Sequence, residues 1–148
     1  MSVQFFAGLV TAIDHVGIAV PDLDEAIAFY VESFGFTVVH REANEGQEVH
    51  EAMLAIGNSD TQLQLLAPLT PDSTIAKFLD RSGPGLQQLA YRVRNIDEAM
   101  DAVRAQGLRL VYDESRRGTA DSRINFIHPK DTGGVLIELV EPQALRRG

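Results

Sequence analysis

The chain has 148 residues, no cysteine and a formal net charge of −8, which allows one domain with a real core, excludes disulfide and thiolate chemistry and argues against general nucleic-acid binding. The charge is lopsided. Residues 1–76 hold eleven acids and one base, Arg41, whereas residues 77–148 hold ten acids and twelve bases, so an anionic ligand should lean on the second half. The start MSVQFFAGLVTAI lacks the basic residues of a signal peptide, and no apolar run reaches the roughly 20 residues that span a membrane. A cytoplasmic protein is expected.

Ala12–Val20 is apolar and rich in β-formers, and it ends at Pro21. Asp22 or Asp24 can cap the helix that follows, in which Leu23, Ile27 and Tyr30 recur at helical spacing before Gly35 stops it. Three strands follow, at Phe36–Arg41, His50–Ile56 and Gln62–Leu66, with turn residues at Gly57-Asn58-Ser59-Asp60. Pro71-Asp-Ser-Thr opens a short linking helix near Ile75–Leu79, and Ser82-Gly-Pro-Gly85 marks a boundary. Beyond it the order returns: strand 86–93, helix 96–106, Gly107, strand 108–112, a long polar loop, strand 123–127 and strand 135–141.

That return is a duplication. His15-Val-Gly-Ile-Ala-Val20 aligns with Gln88-Leu-Ala-Tyr-Arg-Val93, Leu23-Asp-Glu-Ala-Ile27 with Ile96-Asp-Glu-Ala-Met100, and Leu63-Gln-Leu-Leu-Ala-Pro68 with Ile137-Glu-Leu-Val-Glu-Pro142. A near-constant offset of 73 to 74 residues across three elements indicates two tandem βαβββ modules rather than a solenoid. Module one covers about 12–70, a linker about 71–84, and module two about 85–142. The expected fold is α+β, a single domain over 1–148 with curved mixed sheets forming a metal-binding cup.

The repeat pairs four polar side chains inside apolar strands: His15 with Gln88, and Gln64 with Glu138. Taken singly, each has a plainer reading, a hydrogen-bonded core histidine or the wet face of a strand. As symmetric pairs in a duplicated module they form one donor set of an imidazole, a carboxylate and two amide oxygens. Such a set suits an octahedral divalent ion with open water positions, such as Co²⁺, Mn²⁺, Ni²⁺ or Mg²⁺. Glu141 reads as a solvated strand residue.

The stretches HVGIAV (15–20), NEGQEVHEAML (44–54), LQLLAP (63–68), DSTIAKFL (72–79), GPGLQQLAYRV (83–93) and INFIHPKDTGGVLIELVEP (124–142) resemble the methylmalonyl-CoA epimerase family of the vicinal oxygen chelate superfamily, the group of glyoxalase I and the extradiol dioxygenases. The resemblance runs from about Ile13 to Pro142. It implies one divalent metal ion held by His15, Gln64, Gln88 and Glu138, with Co²⁺ the first expectation and Mn²⁺, Ni²⁺, Mg²⁺ or Zn²⁺ the others. One position departs from the pattern: the family usually reads His-His where this chain has Gln87-Gln88. An amide oxygen is a weaker donor to transition metals than imidazole.

The resemblance also implies the reaction, epimerisation of (R)/(S)-methylmalonyl-CoA by α-proton abstraction and reprotonation through a metal-stabilised enolate. It places the general base on Glu51, and Glu138 is the expected second acid/base. The CoA moiety is polyanionic, so Arg116, Arg117, Arg123 and Lys130, which flank the long loop of module two, are candidate substrate contacts. Expected partners are an acyl-CoA substrate and a second copy of the chain, with no nucleic acid and no membrane. The rival readings are another enzyme of the superfamily, such as a glyoxalase-like isomerase or an epimerase of a related acyl-CoA, and a non-catalytic ligand-binding member of the fold.

Overall fold

The computed structural model describes residues 4–146; the outermost ends of the expected domain, residues 1–3 and 147–148, lie outside it. The elements run β1 (Val10–Ala19), α1 (Leu23–Phe34), β2 (Thr37–Asn44), β3 (Val49–Ala55), β4 (Gln62–Pro68), α2 (Thr74–Ser82), β5 (Gly85–Val93), α3 (Ile96–Ala105), β6 (Arg116–Arg117), β7 (Arg123–Ile127), β8 (Ile137–Glu141) and α4 (Gln143–Arg146). The fold is α+β, and strand-helix-strand-strand-strand occurs twice, as the repeat requires. No helix among the described residues is long and apolar enough to cross a membrane.

The chain forms two compact units, His15–Gln87 and residues 88 onward together with the chain before His15. Strands β1 and β5 therefore each contribute residues to both. In module one the strand order is β2-β3-β4-β1, and in module two it is the equivalent β6-β7-β8-β5. The pairing repeats as well. Strands β1 and β4 run parallel, as do β5 and β8, while β3–β4 and β7–β8 are antiparallel. The matched helices start alike. Asp22 accepts from the Glu25 amide at 3.0 Å and Asn95 from the Glu98 amide at 2.9 Å, so the aspartate that caps α1 is Asp22. Each such cap is worth about 1 kcal/mol. Gly35 (φ 72°) and Gly107 (φ 76°) follow the two helices in the left-handed region, which glycine enters without a Cβ penalty.

The strands of each module bury one face under that module's helix. In module one, Leu23, Ile27 and Tyr30 of α1 meet Ala52, Leu54, Leu63 and Leu65. In module two, Ile96, Ala99, Met100 and Val103 of α3 meet Val93, Ile127 and Leu139. The opposite face of module one carries Ala19, Val49 and Leu66, covered by Ile75, Phe78 and Leu79 of α2.

One expected strand is absent. Residues 108–112 form only a single bridge, Leu110 to Ile127, and the pairing with β7 resumes at Arg116 and Arg117, inside what the sequence presents as a polar loop. The cause is Asn125, which is fully buried. Its Oδ1 accepts from the Tyr112 amide at 3.1 Å and its Nδ2 donates to the Tyr112 carbonyl at 2.9 Å. A side chain thus satisfies the backbone groups that a ladder would have used, and the segment leaves the sheet edge. Glu141 is a second correction. It is 7% exposed and accepts from the Ile96 amide at 3.1 Å, a carboxylate placed where the N-terminus of α3 favours negative charge.

Candidate active site

In module one the parallel register sets Gly17 opposite Gln64. His15, two residues before Gly17, shares that face because side chains alternate along a strand. The antiparallel register sets Met53 opposite Gln64, which brings Glu51, two residues away, onto the same face. His15, Glu51 and Gln64 are 3%, 2% and 3% exposed. The Gln64 Nε2 donates to Glu51 Oε2 at 3.1 Å. A buried carboxylate without such a donor would be costly, and this bond fixes one of its two oxygens.

Module two repeats the arrangement with different chemistry. Ala90 lies opposite Glu138, and Gln88, two residues earlier, shares its face. The Gln88 Nε2 donates to Glu138 Oε1 at 2.6 Å. Phe126 lies opposite Glu138, so the position equivalent to Glu51 is Ile124. That isoleucine is buried with Ala90 and Val140. In both modules, then, a glutamine amide N–H is committed to a glutamate.

Among the described residues no three His, Cys, Asp or Glu side chains gather into a metal-binding group. The candidate donor set has only two members of those types, His15 and Glu138. The amides of Gln64 and Gln88 complete it, and all four side chains are buried in strands that are otherwise apolar. The set fits a divalent ion that accepts oxygen donors.

Residues 14–126 match the Glyoxalase/Bleomycin resistance protein/Dioxygenase superfamily. The methylmalonyl-CoA epimerase of Mycobacterium tuberculosis has a solved structure 58% identical to this chain, with a TM-score of 0.91 and 95% of each chain covered. The chain belongs to the methylmalonyl-CoA epimerase family. A variant of the Streptomyces coelicolor methylmalonyl-CoA epimerase, solved with 2-nitronate-propionyl-CoA, is 44% identical, with a TM-score of 0.88 and 90% of this chain and 99% of that chain covered. The mitochondrial methylmalonyl-CoA epimerase of Homo sapiens is 37% identical over 86% of this chain and 72% of its own length.

The four basic residues that the epimerase resemblance offers as acyl-CoA contacts divide sharply in the structure. Arg117 donates from Nε to Asp121, an internal ion pair. Arg123 is half-buried, and its Nη2 donates to the Ser115 carbonyl at 2.8 Å and the Ser115 hydroxyl at 3.0 Å. Lys130 is exposed in the turn Pro129–Asp131, where its backbone amide donates to His128 Nδ1 at 3.2 Å. Arg116 is exposed, with its guanidinium 4.0 Å from the centre of the Tyr112 ring. Sequence reasoning treats Gln64 only as a ligand and misses its bond to Glu51, because that contact depends on the β3–β4 register. It also misses Tyr112 and Asn125, whose partnership crosses an irregular segment that no periodicity marks.

Proposed function

We propose that this chain epimerises methylmalonyl-CoA, with Glu51 removing the α-proton and Glu138 returning a proton on the opposite face. The observation that carries the reading is Glu51 itself: a 2%-exposed carboxylate held by an amide N–H in a chain of this family. Epimerisation needs a proton acceptor on one side of the carbon and a donor on the other. Gln64 immobilises Oε2 of Glu51, which holds the carboxylate in one orientation. Burial excludes water that would compete for the proton.

Enzymes of this superfamily use a divalent metal, and we propose that His15, Gln64, Gln88 and Glu138 hold one such ion here. When bound, it supplies a Lewis acid for the charge that develops on the thioester oxygen. An imidazole beside two amide oxygens and a carboxylate supports Co²⁺ as the ion, with Mn²⁺, Ni²⁺, Mg²⁺ and Zn²⁺ as the alternatives. Exposed Phe29, Phe34 and Val39 give module one an apolar surface, which supports a second copy of the chain as partner.

The test is solvent-deuterium incorporation into the α-position of methylmalonyl-CoA, with and without added Co²⁺. Exchange together with interconversion of the two epimers is expected from the metal-loaded protein. Loaded protein that exchanges no α-proton overturns the reading.

A further inference from the structure

Arginine contacts to a phosphorylated ligand require an exposed guanidinium whose N–H groups are not already committed to the protein. On the loop of module two that condition singles out one residue. Arg117 is paired with Asp121, and Arg123 is occupied by Ser115. Among the described residues Arg116 has no ion pair, and its side chain is held instead by the face of Tyr112 at 4.0 Å.

That mode of holding matters. A cation over an aromatic face is attracted by the ring's electron density, and the contact uses the flat side of the guanidinium. Its N–H groups lie in the plane at the edge and remain available. The platform is itself fixed. Tyr112 meets Phe126 edge-on at 6.2 Å, and both of its backbone polar groups are bonded to the buried Asn125 side chain. Arg116 therefore carries a positive charge whose orientation is set before any ligand arrives, which lowers the ordering cost of binding.

The guanidinium lines a surface cavity of about 500 Å³ formed by Asp113, Glu114, Ser115, Arg116 and Arg117. Two of those residues are acidic and oppose an anion. They stand against a fixed planar fork that matches phosphate geometry bidentately, and a paired Arg117. The Asp113 carbonyl is committed to Arg104 at 2.6 Å, which brings one more cation to the same rim.

We infer that Arg116, braced by Tyr112, is the docking point for a phosphate of the nucleotide end of the acyl-CoA substrate, so that the enzyme binds this end of the substrate away from the reacting carbon. The inference rests on the acyl-CoA reading above. Its chemistry is non-covalent: two charge-assisted N–H to oxygen bonds form, and water is released from both partners.

Two measurements test it, and one of them does not depend on epimerisation. Calorimetry with adenosine 3′,5′-bisphosphate as the probe should show binding to the full chain, weakened about tenfold or more in Arg116→Ala, the size expected for losing a charge-assisted pair. Arg116→Lys should recover only part of it, because an ammonium cannot grip two oxygens as a fork. Tyr112→Phe should bind normally and Tyr112→Leu weakly, since the ring and not the hydroxyl is the brace. In steady-state kinetics, Arg116→Ala should raise KM for methylmalonyl-CoA about tenfold with kcat intact, the pattern of lost uniform binding. It should leave KM for methylmalonyl-pantetheine, which lacks the nucleotide, unchanged. Equal probe binding by the wild-type chain and Arg116→Ala, no probe binding by the wild-type chain, or equal effects on both substrates overturns the inference. A wild-type chain that binds the probe but epimerises neither substrate leaves this site standing and removes the epimerase reading instead.

Discussion

The two modules share a strand order, a register and a pair of helix caps, yet only module one carries a carboxylate at the position that β3 and β7 have in common. Glu51 and Ile124 occupy equivalent positions on β3 and β7. Glu51 bonds to Gln64, whereas Ile124 joins an apolar cluster with Ala90 and Val140. The proposed donor positions diverge in the same way: module one offers His15 and Gln64, and module two offers Gln88 and Glu138. Duplication accounts for the paired positions, and divergence at those positions accounts for the chemistry.

The largest expected effect comes from the donor that module two lacks. His15→Ala removes the only imidazole of the set, so metal binding measured by metal analysis and epimerase activity should both be lost. Gln88→Ala should weaken metal binding less. If activity survives exhaustive chelation, the two modules do not cooperate in metal-assisted chemistry at all.

Next in size is Glu51→Gln. A glutamine keeps the volume and still accepts the bond from Gln64 through its carbonyl oxygen, but it cannot take up the α-proton. Loss of a general base costs about 10²–10⁴ in rate, so kcat should fall by that factor with metal stoichiometry unchanged. Near-normal epimerisation would put Glu51 on the same footing as Ile124, a merely structural position.

The apolar counterpart answers to a different measurement. Ile124→Ala should cost about 2–5 kcal/mol of unfolding free energy in denaturant titration, as for other large-to-small changes in a core. A loss below 1 kcal/mol would mean that the site collapses around the smaller side chain.

The duplication was legible in the sequence because strands facing a core alternate and helices repeat at their own period, and both patterns survive divergence. His15, Gln64, Gln88 and Glu138 stood out for the same reason, as polar residues interrupting those patterns at matched offsets. What stayed hidden depends on side chains replacing backbone. The segment 108–112 has strand-like residues, but Asn125 takes up the polar groups of Tyr112 and ends the pairing. Glu141 reads as a solvated end of a strand, yet it is buried against the first turn of α3. Neither exchange leaves a periodic trace, and the Glu51–Gln64 bond can be seen only once β3 and β4 are in register.

The smallest effect belongs to a contact that module two makes at its surface. Asp131 accepts from the Arg109 backbone amide at 2.9 Å and from its guanidinium at 3.0 Å and 2.9 Å. These bonds, the side-chain bond foremost, lower the carboxyl pKa from 3.8 to about 2. A lowered folded-state pKa gives stability that is fully present above the unfolded value and is lost as pH falls through the folded one. Acid titration of the wild-type chain should therefore lose a small increment between 3.8 and about 2 that Asp131→Asn never had. Superimposable acid-unfolding curves for the two would show that the pair is fully screened by solvent.

The Asn125 clamp has a consequence for how the chain tolerates insertions. Because one side chain, and not a run of ladder bonds, closes the backbone at Tyr112, the residues from Asp113 to Ser115 carry no register of their own. Their number can change without sliding β7 against β8, which is fixed by its own pairs from Arg123 to Ile127. Relatives can therefore differ in length at this point and keep Glu138 in place, so the rim beside Arg116 is free to vary in sequence while the strand that carries the chemistry is not.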